Sequence, residues 1–402
     1  MTKTIVTSPI LPADRFCATY RVRVDAAGVQ ARARALALEQ SIEMPLEAVT
    51  EDFVRDRVVA RVASVEPVEL AGGARGHDVT LSFATRTTGL EAGQLLNMLF
   101  GNCSLQPDVE LVDFEPPVDL LDALPGPRFG IAGWRRALGL EGAPARALTC
   151  TALKPQGLSP QQLGELARTF ALAGIDVIKD DHGIADQDYA RFGQRVAAVQ
   201  RAIERAANER DPPGRALYAP TLSGGPRRLA EQLRIVRDQG VGAVLMCPMV
   251  TGVPTLVELV RGEAAVPILA HPAFAGNARI APALLLGRLF RLFGADATIF
   301  PNFGGRFSYD RDTCGQIARR AREPLGRLPP ILPVPAGGMS IERVDEMIQE
   351  FGTDVMLLIG GHLLAGTAGE SVLARACAFV ERVHQASARL HLDRSACAAP
   401  AP

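Results

Sequence analysis

The 402-residue sequence has no long apolar run, no paired cysteine motif and no excess of charge of either sign. No apolar stretch reaches the roughly 18 residues that span a bilayer, and the N-terminus lacks the apolar core of a secretory signal. We therefore expect a cytoplasmic protein without membrane partners. The net charge of -1 excludes the basic footprint of a nucleic-acid-binding protein. Seven scattered cysteines without a CxxC pair indicate reduced thiols.

The sequence before residue 125 mixes strand-like and helical segments. ATYRVRVD and HDVTLSFAT have the pattern of strands, whereas AGVQARARALALEQS and GLEAGQLLNMLFGN have that of amphipathic helices. This order predicts an α+β domain over residues 1–125, a ferredoxin-like sandwich with helices on one face of a sheet. A link rich in proline and glycine, LPGPRFG at 124–130, marks the domain boundary.

The pattern after residue 125 is regular. Short apolar runs, each followed by a helical segment, recur about every 30 residues, which is the spacing of strand–helix units. Eight such runs are present, at 147–153, 175–179, 216–222, 242–247, 266–271, 297–301, 331–336 and 354–359. They predict an α/β fold with a C-terminal (β/α)8 TIM barrel over 126–386. We expect residues 387–402 to form a weakly ordered tail.

Polar and ionisable residues follow several of these runs. Because such barrels carry their chemistry where the strands end, we expect these residues to line one rim. They are Lys154 after the first run, Lys179, Asp180, Asp181 and His182 after the second, His271 after the fifth, Arg306 after the sixth, and the pairs Gly337–Gly338 and Gly360–Gly361 after the last two.

The cluster after the second run suggests a metal site. Adjacent carboxylates at a strand end are costly unless a divalent metal or a reacting anion uses them. A lysine fits such a cluster if its amine becomes a carbamate, which is an oxygen ligand. A carbamylated Lys179 with Asp181 and His182 would leave positions open for substrate. Mg²⁺ prefers oxygen, and the histidine leaves room for Mn²⁺ or Zn²⁺. A salt-bridged cluster without metal is the alternative.

The other strand ends suggest an acid–base site that binds a phosphate. Lys154 lies before a proline at a rigid strand end, where neighbouring cations would lower its pKa enough for a general base. A solvated surface lysine is the alternative. His271 would ordinarily be a core histidine, but its place on the rim favours catalysis. The paired glycines after the last two runs allow backbone N–H groups to approach an oxyanion.

Two sequence motifs at the first two strand ends, together with the link between the domains, resemble the large-chain family of ribulose bisphosphate carboxylase (RuBisCO). The resemblance covers nearly the whole chain. The motifs are LKPQGLSP at 153–160 and GIDVIKDDHG at 174–183, and the link is GPRFGI at 126–131. The resemblance implies that Lys154 is the catalytic base, Lys179 the carbamylated lysine, Asp181 a metal ligand and His271 the active-site histidine. The four paired glycines would bind phosphate. It also implies a homodimer in which Glu39 and Asn102 act across the interface.

The chain departs from the family at the residues that bind a second phosphate and handle CO2. Arg306 is the only cation near the position of the family's loop lysine. The other departures are His182 for a glutamate ligand, Gln156 for a second lysine, Pro272 for the arginine that grips the second phosphate, and Ala336 for a serine. These differences imply a form IV, RuBisCO-like protein that acts on a monophosphate and does not fix CO2. Arg306 remains a candidate substrate ligand.

The retained residues favour metal-stabilised enolate chemistry on a phosphorylated keto sugar or keto acid. We prefer decarboxylation, or transcarboxylation with hydrolysis, of 3-oxo-isoapionate 4-phosphate, because cleaving a β-keto acid needs only an electron sink at the ketone. Isomerisation or enolisation of 5-methylthioribulose 1-phosphate is the first alternative. A sugar-phosphate-binding regulatory paralogue without activity is the second, and the intact lysines and glycine pairs argue against it.

Overall fold

The computed structural model describes residues 14–210, 214–262, 264–365 and 370–398. The chain divides into two compact units. The first consists of the residues up to Leu124 together with Asn277–Leu284, and the second of Pro125–Gly276 together with the residues from Leu285 onward. Within the described residues, no helix is both long and apolar enough to cross a membrane.

The first unit has the predicted ferredoxin-like architecture. Its antiparallel sheet has the order β2-β3-β1-β4, so β1 lies between β3 and β4. The two longer helices each connect a pair of strands in the βαββαβ arrangement. In chain order the elements are β1 (Arg15–Val22), α1 (Val29–Glu39), β2 (Arg61–Glu69), β3 (Arg75–Ala84), α2 (Ala92–Phe100), β4 (Val109–Glu115) and α3 (Val118–Ala123).

Alternation along β1 explains how this sheet buries one face. Phe16 and Tyr20 point into the core, where the ring of Phe16 stacks on Phe83 and meets Phe114 edge-on. Sequence patterning did not identify β2 or β4. β2 has no fully buried residue, so its sequence lacks the apolar alternation that marks a half-buried strand.

The second unit is a barrel of eight parallel strands, as predicted. They form two four-stranded sheets, β12-β5-β6-β7 and β11-β10-β9-β8. A parallel bridge between Thr221 and Leu245 joins the sheets on one side, and β11 contacts β12 on the other. The strands are β5 (Leu148–Leu153), β6 (Val177–Asp180), β7 (Leu217–Ala219), β8 (Val244–Met246), β9 (Ile268–Ala270), β10 (Ala297–Pro301), β11 (Leu332–Ala336) and β12 (Met356–Leu358).

Helices surround these strands and extend beyond the predicted end of the barrel. Residues 387–402 were expected to form a weakly ordered tail. The last helix continues through residue 398, and residues 399–402 lie outside the described residues. The helices are α4 (Gly130–Ala137), α5 (Pro160–Leu172), α6 (Phe192–Glu209), α7 (Pro226–Asp238), α8 (Pro248–Thr251), α9 (Val253–Arg261), α10 (Phe290–Leu292), α11 (Arg311–Arg322), α12 (Val344–Phe351), α13 (Gly361–Leu364) and α14 (Val372–Ala398).

Helix α4 packs against the N-terminal ends of the strands. Ile131 and the fully buried Trp134 join the first residues of several strands, including Leu148 and Val177, in one apolar cluster. Apolar side chains thus fill this end of the barrel. The polar residues follow the C-terminal ends of the strands and therefore lie at the opposite rim.

The start of α5 stabilises the turn that follows β5. The Ser159 hydroxyl accepts a hydrogen bond from the Gln162 N–H at 3.3 Å, and the Gln162 side chain accepts one from the Ser159 N–H at 2.9 Å. This reciprocal capping box begins a helix whose first residue is Pro160. The helix start thus holds the short loop that carries Lys154.

Candidate active site

The predicted strand-end residues of the barrel, except the fully buried Asp180, line one cavity of about 810 Å³. Its volume is in the range of small-molecule sites. Apolar side chains form much of the remaining wall, among them Ile299, Phe300, Phe307 and Leu358. The candidate residues in the lining are Lys154, Lys179, Asp181, His182, His271, Arg306, Gly337, Gly338, Gly360 and Gly361.

Lys154 and Asp181 form an ion pair within this cavity. The Lys154 Nζ lies 2.5 Å from Asp181 Oδ1, and both side chains are largely shielded from solvent. Burial opposes the charge of Asp181, but the neighbouring His182 and Lys154 and the positive charge of Lys179 outweigh it. They hold the pKa of the Asp181 carboxyl well below its usual range, so an anionic carboxylate is present at this strand end.

Lys179 lies deeper in the barrel than Lys154. Its side chain is almost completely buried, and Nζ donates a hydrogen bond to the Asp180 carbonyl oxygen at 2.9 Å. Burial lowers the pKa of this lysine, which increases the fraction of neutral amine. A neutral amine is the form that attacks CO2 to give a carbamate.

Asp180 is held away from the reacting groups by a buried network. Its carboxylate accepts hydrogen bonds from Tyr218 Oη at 2.7 Å, Arg195 Nε at 3.1 Å and the Thr221 N–H at 3.0 Å. Asp180 and Arg195 are both fully buried. Their pairing fixes the end of β6, and with it the neighbours Lys179 and Asp181.

His271 and His182 stack face to face across the cavity. Their ring centroids are 4.2 Å apart and the planes differ by 13°. The Ala273 N–H donates to His271 Nδ1 at 3.1 Å, which leaves Nε2 to carry the proton of the neutral ring. Burial, with nearby Lys179, lowers the pKa of His271 to about 2, so the ring is a neutral N–H donor at physiological pH.

Comparison with known proteins identifies the family of this chain. Residues 130–282 match the catalytic domain of the ribulose bisphosphate carboxylase large chain. Ribulose bisphosphate carboxylase-like protein 1 of Rhodopseudomonas palustris is 50% identical over 370 residues, which cover 92% of this chain and 98% of the relative.

This chain belongs to the RuBisCO-like proteins. A 5-methylthioribulose-1-phosphate isomerase from Rhodospirillum rubrum is 48% identical to it over 379 residues, covering 94% of this chain and 98% of the relative. The crystal structure of a Rubisco-like protein from Rhodopseudomonas palustris aligns with a TM-score of 0.84 at 47% identity, covering 92% and 98% of the two chains.

The glycine pairs of this RuBisCO-like protein present unused backbone donors. Within the described ranges, none of the N–H groups of Gly337, Gly338, Gly360 and Gly361 donates a hydrogen bond. Donors of this kind suit an oxyanion such as a phosphate.

Packing also requires glycine at the first pair. Gly337 and Gly338 have φ values of 81° and 106°. A Cβ atom on Gly338 would lie 2.8 Å from the Gly305 Cα and 2.9 Å from the Arg306 nitrogen, and one on Gly337 would lie 2.8 Å from the Phe307 ring. The loop after β10 therefore packs directly on this turn.

That packing positions Arg306, the candidate cation of the loop. Its backbone N–H donates to the Gly337 carbonyl at 3.1 Å, and its guanidinium lies 5.2 Å from the centroid of the Phe307 ring. The loop thus presents a cation and an aromatic ring side by side at the cavity.

Glu39 and Asn102 lie in the first unit and are not among the residues that line this cavity. The Asn102 amide donates to Glu39 Oε1 at 3.1 Å and to Glu43 Oε1 at 2.8 Å. The structure therefore brings these two candidates together. Their action on a partner's site stays a prediction.

The predicted metal ligands form a complete site only if Lys179 is one of them. Among the described residues, no group of three or more histidine, cysteine, aspartate or glutamate side chains is placed to hold a metal ion. Asp181 and His182 provide an anionic oxygen and a nitrogen, so a carbamate on the buried Lys179 would supply the third ligand.

The scarcity of lysine in the sequence supports a role for Lys154 and Lys179. The motif-based analysis did not use this signal. The sequence contains 43 lysine and arginine residues, of which only Lys3, Lys154 and Lys179 are lysines. Two of these three line the cavity. Arginine can replace lysine as a surface charge but neither loses its proton nor becomes a carbamate ligand in this way. Lysine at 154 and 179 therefore fits the predicted amine chemistry, which stays a prediction.

Arg195 and Tyr218 hold the end of β6 through Asp180, and sequence reasoning missed both. No local signal distinguishes them, because Arg195 lies in an amphipathic helix and Tyr218 in a short apolar strand. Only their contacts with Asp180 show their importance.

Proposed function

We propose that this RuBisCO-like protein is an isomerase of a phosphorylated ketose, with 5-methylthioribulose 1-phosphate as its substrate. The observation that carries the proposal is one cavity holding an amine, a neutral imidazole donor and a cluster of free backbone N–H groups. The name of the Rhodospirillum rubrum relative supports the choice of substrate.

The arrangement of the cavity suits a monophosphate with an apolar end. The free N–H groups after β11 and β12, with Arg306, are the candidate ligands for one phosphate. Other walls are apolar, and Pro272 occupies the position where the family carries an arginine for a second phosphate. An uncharged substituent such as a methylthio group can be buried against these walls.

Lys154 and His271 would carry out the proton transfer. Once the lysine of the Lys154–Asp181 ion pair has released its proton to solvent, the neutral Lys154 amine removes the proton from the carbon beside the carbonyl, and the electron pair forms a carbon–carbon double bond. The carbonyl oxygen becomes an oxyanion that accepts a hydrogen bond from His271 Nε2. The proton then returns to the former carbonyl carbon, and the neighbouring hydroxyl becomes the new carbonyl as its proton passes to the former carbonyl oxygen, so the isomerisation is complete without loss of atoms.

A divalent ion would assist this step. Asp181, His182 and a carbamylated Lys179 are its proposed ligands, with Mg²⁺ as the expected ion and Mn²⁺ or Zn²⁺ as alternatives. When bound, such an ion polarises the substrate carbonyl and stabilises negative charge on its oxygen.

Cleavage of 3-oxo-isoapionate 4-phosphate, which the sequence analysis preferred, now takes second place. Neither relative described above is named for a carboxylate-cleaving activity. The regulatory alternative is disfavoured by the two retained lysines in the cavity, because a binding protein has no need of amine chemistry.

We also propose a homodimer with shared active sites. Asn102 and Glu39 form a polar pair at the surface of the first unit. In a second copy this pair would be available to the substrate, as the family resemblance implies.

The test is a ³¹P and ¹H NMR time course in D2O with Mg²⁺ and bicarbonate. With 5-methylthioribulose 1-phosphate we expect an isomeric product that has gained solvent deuterium at carbon. A second tube contains ¹³C-carboxyl-labelled 3-oxo-isoapionate 4-phosphate. Release of its label, without reaction in the first tube, would replace the isomerase by a lyase. Binding without turnover in either tube would favour the regulatory paralogue.

A further inference from the structure

The two oxygens of Asp181 face different partners. Oδ1 contacts the Lys154 Nζ at 2.5 Å, whereas Oδ2 lies 3.8 Å from His182 Nδ1. The second distance is too long for a hydrogen bond. The 3.8 Å separation is nevertheless short enough for both atoms to bind the same ion at about 2.1 Å each.

The His182 ring is held in place without using its nitrogens. Its face stacks on His271 at 4.2 Å, which restricts the ring plane. In the part of the chain that the structure describes, neither ring nitrogen of His182 forms a hydrogen bond, and the side chain is 46% exposed toward the cavity and solvent. An oriented imidazole with a free nitrogen beside a carboxylate oxygen is an incomplete ligand pair.

We propose that His182 binds the divalent ion through Nδ1, and that this nitrogen shifts the site from Mg²⁺ toward transition ions such as Mn²⁺ and Zn²⁺. The inference rests on the proposed function for the presence of an ion and adds the residue that selects it. Mg²⁺ favours oxygen ligands, whereas imidazole favours transition metals.

The replacement of a carboxylate by an imidazole also changes the charge of the ligand set. Asp181 and a carbamate on Lys179 carry one negative charge each, which balances a divalent ion. A carboxylate in place of His182 would add a third negative charge and repel an oxyanion forming on the substrate. An imidazole, which adds no negative charge, therefore suits a site that stabilises an oxyanion.

The experiment uses the full-length protein with Mn²⁺ and bicarbonate and no substrate. Electron spin echo envelope modulation detects nitrogen bound to Mn²⁺, and calorimetry gives the dissociation constants of Mn²⁺ and Mg²⁺. We expect nitrogen modulation in the native protein and its loss in His182→Glu and His182→Gln. The ratio of the Mg²⁺ to the Mn²⁺ dissociation constant should fall at least tenfold in His182→Glu. His362→Gln, a second histidine of the same cavity, is the matched control and should keep the modulation.

Two results of the spin-echo experiment would overturn the inference, and a third comes from calorimetry. One is Mn²⁺ bound without nitrogen modulation in the native protein, and the other is modulation that persists in both His182 variants. Absence of Mn²⁺ binding would also overturn it. Turnover of 5-methylthioribulose 1-phosphate is measured separately, so an active enzyme without a nitrogen ligand refutes this inference alone. An inactive protein with a nitrogen ligand refutes only the proposed isomerase. Circular dichroism checks that the variants fold.

Discussion

Lys154 Nζ and Asp181 Oδ1 lie 2.5 Å apart at the ends of two paired strands of the barrel. Strands β5 and β6 are parallel and in register, with Leu153 opposite Asp180, so the next residue of each strand reaches the same rim. The contact joins the candidate base to the candidate metal ligand. With this contact, the proposed proton transfer and the proposed ion binding would act on the same substrate.

The chemistry proposed for Lys154 requires an amine and not merely a positive charge. We expect Lys154→Arg to lower kcat by roughly 10²- to 10⁴-fold while the Michaelis constant changes little, because the guanidinium keeps its proton. Steady-state kinetics with 5-methylthioribulose 1-phosphate measure both constants. Lys3→Arg, at a position outside the described residues, is the matched control and should behave as the native protein. An active Lys154→Arg enzyme would remove Lys154 from the role of base.

The Asp180–Arg195 pair should contribute strongly to stability. Asp180→Asn leaves the buried Arg195 guanidinium without its counter-ion, and we expect the free energy of unfolding to fall by about 3–5 kcal/mol. Tyr218→Phe removes one hydrogen bond to the carboxylate and should cost about 1–2 kcal/mol. Urea denaturation measures both. Asp238→Asn breaks an exposed pair with Arg234 and should change stability by less than about 0.5 kcal/mol. Equal effects of the two aspartate substitutions would contradict the structural role of the buried pair.

The two glycine pairs should respond differently to an added methyl group. Gly338→Ala places Cβ 2.8 Å from the Gly305 Cα at a φ of 106°, so the loop that carries Arg306 must move. We expect a loss of about 1–3 kcal/mol of stability and weaker phosphate binding. Gly361→Ala meets no atom within 4 Å and should be tolerated. Thermal unfolding and inorganic phosphate titration compare the two variants. The prediction fails if Gly361→Ala is the more damaging change.

His271 should remain neutral throughout the range in which the enzyme is stable. Burial lowers its pKa to about 2 in the folded protein, below the ordinary value near 6.5 of an unfolded histidine. The unfolded state therefore binds a proton first. The stability due to neutral His271 is present above pH 6.5 and is lost as the pH falls below it.

Histidine-selective ¹⁵N NMR would test this protonation state. We expect the pattern of an Nε2-protonated ring from pH 8 to pH 5. Over the same interval, native stability should fall by about 1–2 kcal/mol more than that of His271→Gln. A His271 resonance that titrates near pH 6.5 would show that the ring is not held neutral.

Local sequence patterns were enough to predict the barrel, because short segments contain both the strand–helix alternation and the polar residues at the strand ends. All eight predicted strands are present, and the link at 124–130 coincides with the division between the two units. Strands β2 and β4 and the helix over residues 387–398 were missed. Strand β2 lacks apolar alternation, and the helix continues through a stretch that was expected to be a weakly ordered tail.

The sequence by itself determined which groups meet at the rim, since parallel strands of one barrel end on one face. Tertiary structure alone decided how each group is used. Asp180 turns to Arg195 and Tyr218, whereas its neighbour Asp181 faces Lys154 and His182. Adjacent residues of a strand point to opposite sides, and only closure of the barrel determines which side holds a buried partner and which opens to the cavity.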